Sequence, residues 1–264
     1  MQLPTTFFGW IGFLLDKYGP LFLQGTGMTL LISLTGTVIG FMIGLVVATL
    51  RTIPVQRRTP TALKALKQLL NVLLSIYIEV FRGTPMIVQA MVIYYGAMKA
   101  GLIGRATPIP VVAIFIVSIN TGAYMAEIIR GGIISVDKGQ KEAAQAIGMT
   151  HWQSMLSVVL PQAVRNIMPS IGNEFVVNIK DSSVLNVISV SELFFMSKSA
   201  AGAYLRFFEV FTITAVIYLI LTFTVTRILR LIERKMDGKS TYTILGSQTF
   251  SKGAITPPTS GREG

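Results

Sequence analysis

From Tyr18 to Leu50 the sequence runs 33 residues without one charged side chain. A helix needs about 20 consecutive apolar residues to cross the hydrocarbon core of a bilayer. This stretch is more than long enough, and it fixes the chain as an all-α integral membrane protein. The composition points the same way: of 264 residues, 52% are hydrophobic and only 13% charged, about half the charged share of a soluble domain. A water-soluble enzyme and a free nucleic-acid-binding domain are both excluded, even at a net charge of +11. The sequence holds no cysteine, which removes disulfides and thiolate metal sites.

Five transmembrane helices fit the pattern. The first covers about residues 24–50, where Gly36, Gly40 and Gly44 make a smooth face that another helix can approach closely. The second, about 69–98, is interrupted by Glu79, Arg82 and the helix-breaking Gly83-Thr84-Pro85. The third is 106–126, the fourth a half-polar stretch at 166–190, and the last about 207–231. Residues 1–19 lack the basic region of a secretory signal and read as mature protein, either an amphipathic segment at the membrane interface or a buried anchor. Residues 236–264 read as a polar, flexible cytoplasmic tail, which leaves 20–235 as the membrane domain. Sixteen Lys and Arg then fall in inner segments against five in outer ones, with Arg82 and Lys180 inside membrane segments. The positive-inside rule places the amino terminus outside and the carboxyl terminus in the cytoplasm.

The connection from Glu127 to Arg165 is too charged for lipid and carries two helix-start signals. Asp137 with Gln140 starts one helix, which Gly148 ends; Thr150 with Gln153 starts another, which stops before Pro161. Two short helices meeting at a glycine also suit a helix-turn-helix, but this loop is strung between membrane segments and its net charge is modest. Its order is Glu142-Ala143-Ala144, three residues, Gly148, nine residues, Val158, one residue, then Leu160-Pro161. That order resembles the cytoplasmic EAA signature of importer permeases of the ATP-binding cassette class, with Val158 where isoleucine is commoner. The stretches FRGTPMIVQ (81–89), NTGAYMAEIIRGGI (120–133), KGQKEAAQAIGM (138–149), VRNIMPSIGNEF (164–175) and IKDSSVL (179–185) widen the resemblance. Over roughly residues 20–235 the chain is similar to the polar amino-acid permeases of histidine, glutamine and arginine uptake systems.

The resemblance implies a MetI-like permease fold in a bacterial cell membrane, working as a homodimer or beside a related permease. It implies that Gln140, Glu142, Ala143, Ala144, Gly148, Leu160 and Pro161, within a coupling loop at about 130–165, dock on a separate ATPase subunit, one of two that carry ATP and Mg. No G-x-x-x-x-G-K-[ST] segment occurs in the sequence, so ATP is expected on partner subunits, and no catalytic constellation, metal site or cofactor is expected on this chain. It also lacks the residues for a solute-capturing pair of lobes, and an extracellular amino-acid-binding protein is expected as a separate partner.

For the path itself, Glu174, Asn178, Asp181 and Ser182 lie within about 100° of one another on a helix. Such a stripe is costly against lipid. It suits either a route for a zwitterionic solute or a satisfied structural network. Glu79 and Arg82, three residues apart, either pair with each other or line a cavity at the break in the second span. Asn120, with Thr121, is a polar group of the third span that bonds across helices or joins the path. An ion-coupled secondary amino-acid carrier, with Glu174 and Asp181 as proton or sodium sites, is the alternative from another class.

Overall fold

The computed structural model describes residues 3–52, 60–104 and 106–237. They form α1 (Phe7–Thr52), α2 (Thr61–Gly83), α3 (Met86–Lys99), α4 (Ile109–Ser135), α5 (Lys138–Ala146), α6 (His151–Ser154), α7 (Leu160–Asp181), α8 (Leu193–Tyr204) and α9 (Phe207–Asp237). A π turn, Met155–Val159, joins α6 to α7, and a 3-10 turn, Ser182–Ile188, follows α7. Four helices, α1, α2, α4 and α9, are long and apolar enough to cross a membrane, and the bent segment Trp152–Ile188 plus Leu193–Tyr204 makes a fifth when taken as one broken span. The tail expected at 236–264 lies, beyond Asp237, outside the described residues, as do Arg57 and Arg58.

The glycine face of α1 sets the centre of the bundle. Gly36 lies over Val117, Gly40 over Thr121 and Gly44 over Met125, so α1 and α4 run parallel and in step. A Cβ on Gly40 would stand 2.7 Å from that of Thr121, closer than side-chain carbons approach, which is why the contact needs glycine. Against this pair, α7 runs antiparallel to α4: Thr121 bonds to Asn178 near one end, and Gly132 lies under Ile167 near the other. α2 is also antiparallel to α4, with the Tyr77 hydroxyl donating to the Ile119 carbonyl at 2.6 Å. A buried cluster of Ile32, Val112, Ile116, Val117, Leu185, Ile188 and Val190 fills the space at the other end of the α1–α4 pair.

Several sequence expectations shift here. The boundary at residue 19 falls inside α1, which continues through Pro20. Trp10 and Leu14 are buried with Phe22, Leu193 and Val210 against α8 and α9, so this part of the chain packs into the protein. The third span runs on to Ser135, past the charged residues assigned to the loop. It does so because Glu127 is neutralised from two sides, by Arg51 of α1 at 2.8 Å and by Arg130, one turn on, at 2.8 Å.

The helix expected to stop before Pro161 continues through it into α7. Proline has no N–H and its ring crowds the carbonyl four residues back. The chain accommodates this by widening the preceding turn, so that the Leu160 N–H reaches the Met155 carbonyl in an i to i+5 bond.

Candidate functional site

The polar stripe of α7 is divided by the packing. Asn178 is buried and donates to Thr37 Oγ1 of α1 at 2.8 Å and to Thr121 Oγ1 of α4 at 3.0 Å. Ser182 is fully buried, with its hydroxyl on the Ile179 carbonyl. These two, expected beside the path, are spent inside the protomer.

Glu174 and Asp181, at the edge of the same face, are half-buried. Each lacks a hydrogen bond or ion pair among the described residues. Glu174 is within electrostatic reach of both Asp181 and Arg82. Glu174 thus has one like and one opposite charge near it, and none of these three charged side chains makes a hydrogen bond or ion pair among the described residues.

Arg82 does not pair with Glu79, the partner expected from spacing: no ion pair joins them among the described residues. Its guanidinium carbon lies 5.7 Å from the centroid of the Tyr124 ring on α4, within range for a cation–π contact. Both Arg82 and Glu79 are exposed on the protomer.

The break between α2 and α3 falls at Thr84 and Pro85, as the sequence indicates. A buried residue that sequence reasoning passed over, Gln89, holds it together. Its Nε2 donates to the carbonyls of Phe81 at 2.9 Å and Thr84 at 2.8 Å, and its Oε1 accepts from Asn120 Nδ2 at 2.8 Å. Asn120 is therefore engaged in the protein and bonds across helices. A lone glutamine just after a Gly-Thr-Pro break in an apolar run was the signal available for this role.

At the end of the bundle where α1 and α4 finish, the connection from α4 to α7 forms the second constellation. Asp137 caps α5 by accepting the Gly139 N–H at 2.6 Å. Gln140, expected to complete that cap, instead accepts from Gln162 of α7 at 3.4 Å. α5 ends in a Schellman motif: the Gly148 N–H reaches the Gln145 carbonyl and the Met149 N–H reaches Ala144, with Gly148 at φ +83°. The cap expected at Thr150 and Gln153 forms in both directions, at 2.8 and 3.3 Å.

Ala144 faces inward, while Glu142 and Ala143 face out; Leu160 is half-buried, and Pro161 is exposed at the start of α7. Beside them, Ile134, Ile147, Trp152 and Leu156 are each more than half exposed. Sequence analysis did not single out these four, because isolated large apolar residues in a membrane protein give no contrast.

The structure thus combines glycine-packed helices, a second span that stops at a Gly-Thr-Pro break, half-buried carboxylates without a hydrogen bond among the described residues and a helical loop beside exposed large apolar side chains, the make-up of a multi-span membrane protein. Residues 61–238 match the family described as binding-protein-dependent transport system inner membrane component, and the chain belongs to that family of ATP-binding cassette importer permeases. It is 38% identical over 217 residues to the glutamine transport system permease protein GlnP of Escherichia coli (strain K12), covering 82% of this chain and 93% of that protein. It is 34% identical over 217 residues to the arginine transport system permease protein ArtQ of Bacillus subtilis (strain 168), with coverage of 82% and 93%.

Among solved structures, a chain of an amino acid ABC transporter determined with histidines superposes with a TM-score of 0.73 at 38% identity, covering 84% of this chain and 96% of that one. The inward-facing MetNI methionine ABC transporter shares the fold, with a TM-score of 0.67 at 21% identity and coverage of 84% and 98%.

Proposed function

We propose that this chain is the permease subunit of an ATP-driven importer of polar amino acids, and that Arg82, Glu174 and Asp181 line the route of the solute. What supports the reading is that Glu174 and Asp181, half-buried on α7, and Arg82, held beside Tyr124 of α4, keep their charges without a hydrogen bond or ion pair among the described residues. A zwitterion brings one carboxylate and one ammonium, and charge-assisted hydrogen bonds to a guanidinium on one side and carboxylates on the other complement both. The glutamine and arginine assignments of similar permeases support the same solute class.

In this reading the chain crosses a bacterial cell membrane with its amino terminus outside and its carboxyl terminus in the cytoplasm. It works beside a second copy or a related permease. α5 and the exposed apolar side chains next to it seat on one of two ATPase subunits holding ATP and Mg, and an extracellular binding protein delivers the amino acid. ATP-driven closure of the motor moves the loops and shifts the bundle between inward- and outward-open states.

The test is uptake of labelled amino acid by the complete complex in proteoliposomes, with Arg82→Gln and Asp181→Asn compared with wild type. Asp181→Asn removes a charge at constant shape and Arg82→Gln removes one while shortening the side chain, so uptake falls about tenfold or more in each, as loss of a charge-assisted hydrogen bond predicts, with assembly retained. Wild-type uptake in both variants overturns the placement of these residues on the path.

A further inference from the structure

We infer that Gln89 and Asn120 are positioning residues for Arg82, an assignment that rests on Arg82 meeting the solute as proposed above. The reason lies in the break that follows Arg82. In an unbroken helix the Phe81 carbonyl would accept from the N–H of residue 85, but that residue is proline and has none. The Thr84 carbonyl is likewise passed over, because the Val88 N–H turns back to Pro85. Two orphan acceptors therefore flank Arg82 and Gly83, and on the side where both carbonyls meet the buried Gln89 they need a donor from the protein.

One side chain meets both. Gln89 Nε2 lies 2.9 Å from the Phe81 carbonyl, 2.8 Å from that of Thr84 and 2.8 Å from Thr84 Oγ1. The amide is itself held, since its Oε1 accepts from Asn120 Nδ2 at 2.8 Å, and Asn120 also reaches the Phe81 carbonyl at 3.4 Å. Gln89 and Asn120 are each only 7% exposed. One turn beyond Asn120 on α4 stands Tyr124, whose ring lies beside the Arg82 guanidinium. α4 thus fixes Arg82 twice, its backbone through the Asn120–Gln89 amide pair and its side chain through Tyr124. Without the amides the last turn of α2 is free to unwind toward the break, and the guanidinium loses its seat beside Tyr124.

A double-mutant cycle in the reconstituted complex of permease, ATPase and binding protein separates positioning from bulk stability. Gln89→Leu keeps the volume and loses the donors; initial uptake of labelled glutamine falls about tenfold, matching Arg82→Gln, and the double variant Gln89→Leu/Arg82→Gln falls no further than the worse single. Residues that act through one another are non-additive in this way, whereas independent sites multiply their losses. Asn120→Ala, which leaves Gln89 in place, is the milder second arm. It lowers uptake about threefold and is likewise silent once Arg82 is replaced; this arm decides the matter when Gln89→Leu does not assemble.

Wild-type uptake in both Gln89→Leu and Asn120→Ala, or losses that multiply with that of Arg82→Gln, overturns the inference while leaving the proposed path intact. Wild-type uptake in Arg82→Gln removes the path assignment, and the positioning role with it.

Discussion

Asn178 joins three helices through one side chain, and its position explains both what the sequence disclosed and what it concealed. The helical period places Glu174, Asn178, Asp181 and Ser182 on one face, and in the fold they do share it. Where that face divides between protein and open space is set by the angle at which α1 and α4 approach, a property of tertiary packing. Asn178 and Ser182 fall on the covered side and Glu174 and Asp181 at the edge. A polar residue in a membrane segment is satisfied either by protein or by water, and composition alone does not say which.

The division has a consequence for stability. Asn178→Leu strips Thr121 of its partner and leaves Thr37 with only its own carbonyl bond to Ser33. Loss of these buried bonds costs about 1–3 kcal/mol, so the purified variant melts at a lower temperature than wild type, whereas Asp181→Asn melts close to it. Equal melting of Asn178→Leu and wild type in detergent contradicts the network.

At the scale of the element, end signals were the most legible feature. Asp137, Gly148 and Thr150 with Gln153 act where the sequence put them, because caps are local chemistry decided by a few neighbouring atoms. Pro161 misled for the converse reason: a proline normally stops a helix, but a π turn before it lets the chain pass, and that adjustment involves the packing of Val159 against Val136 and Ala163. The end of α4 was placed too early because Glu127 and Arg130 read as loop charges until Arg51, remote in sequence, supplies the counter-charge.

Gly148 is the element's most exacting position, since a β-branched residue at φ +83° is strained by about 1–2 kcal/mol. Gly148→Val therefore disorders the end of α5. It lowers ATP-driven uptake about tenfold while insertion and solute-free assembly persist, a loss out of proportion to that strain because the docking angle of the whole helix changes. Uptake unchanged from wild type removes α5 from the coupling path.

For the whole molecule, hydropathy found about the right number of spans, but the second stops at Gly83 and does not reach residue 98, and the fourth, expected at 166–190, is part of the bent pair Trp152–Ile188 and Leu193–Tyr204. The lengths and the break at Gly83-Thr84-Pro85 follow from the cost of charge and of proline in lipid. The parallel contact of α1 with α4 was foreshadowed by Gly36, Gly40 and Gly44, but the identity of the partner helix was not, since any helix can lie on a smooth face. The amino-terminal segment read as a separate interfacial or anchoring stretch ending at residue 19, but α1 runs through it, with the Lys17 ammonium on the Tyr204 hydroxyl and 4.9 Å from the centre of its ring.

The central claim is that this bundle moves its solute with energy supplied by other chains, and transport in a defined membrane tests it most directly. The permease is reconstituted in proteoliposomes with and without its ATPase and binding-protein partners, and labelled glutamine uptake is followed under an imposed proton or sodium gradient or with ATP at the ATPase face. The account predicts uptake only when ATP and both partners are present, and no response to either gradient. Gradient-driven uptake by the permease alone, with Glu174 and Asp181 serving as ion sites, contradicts it.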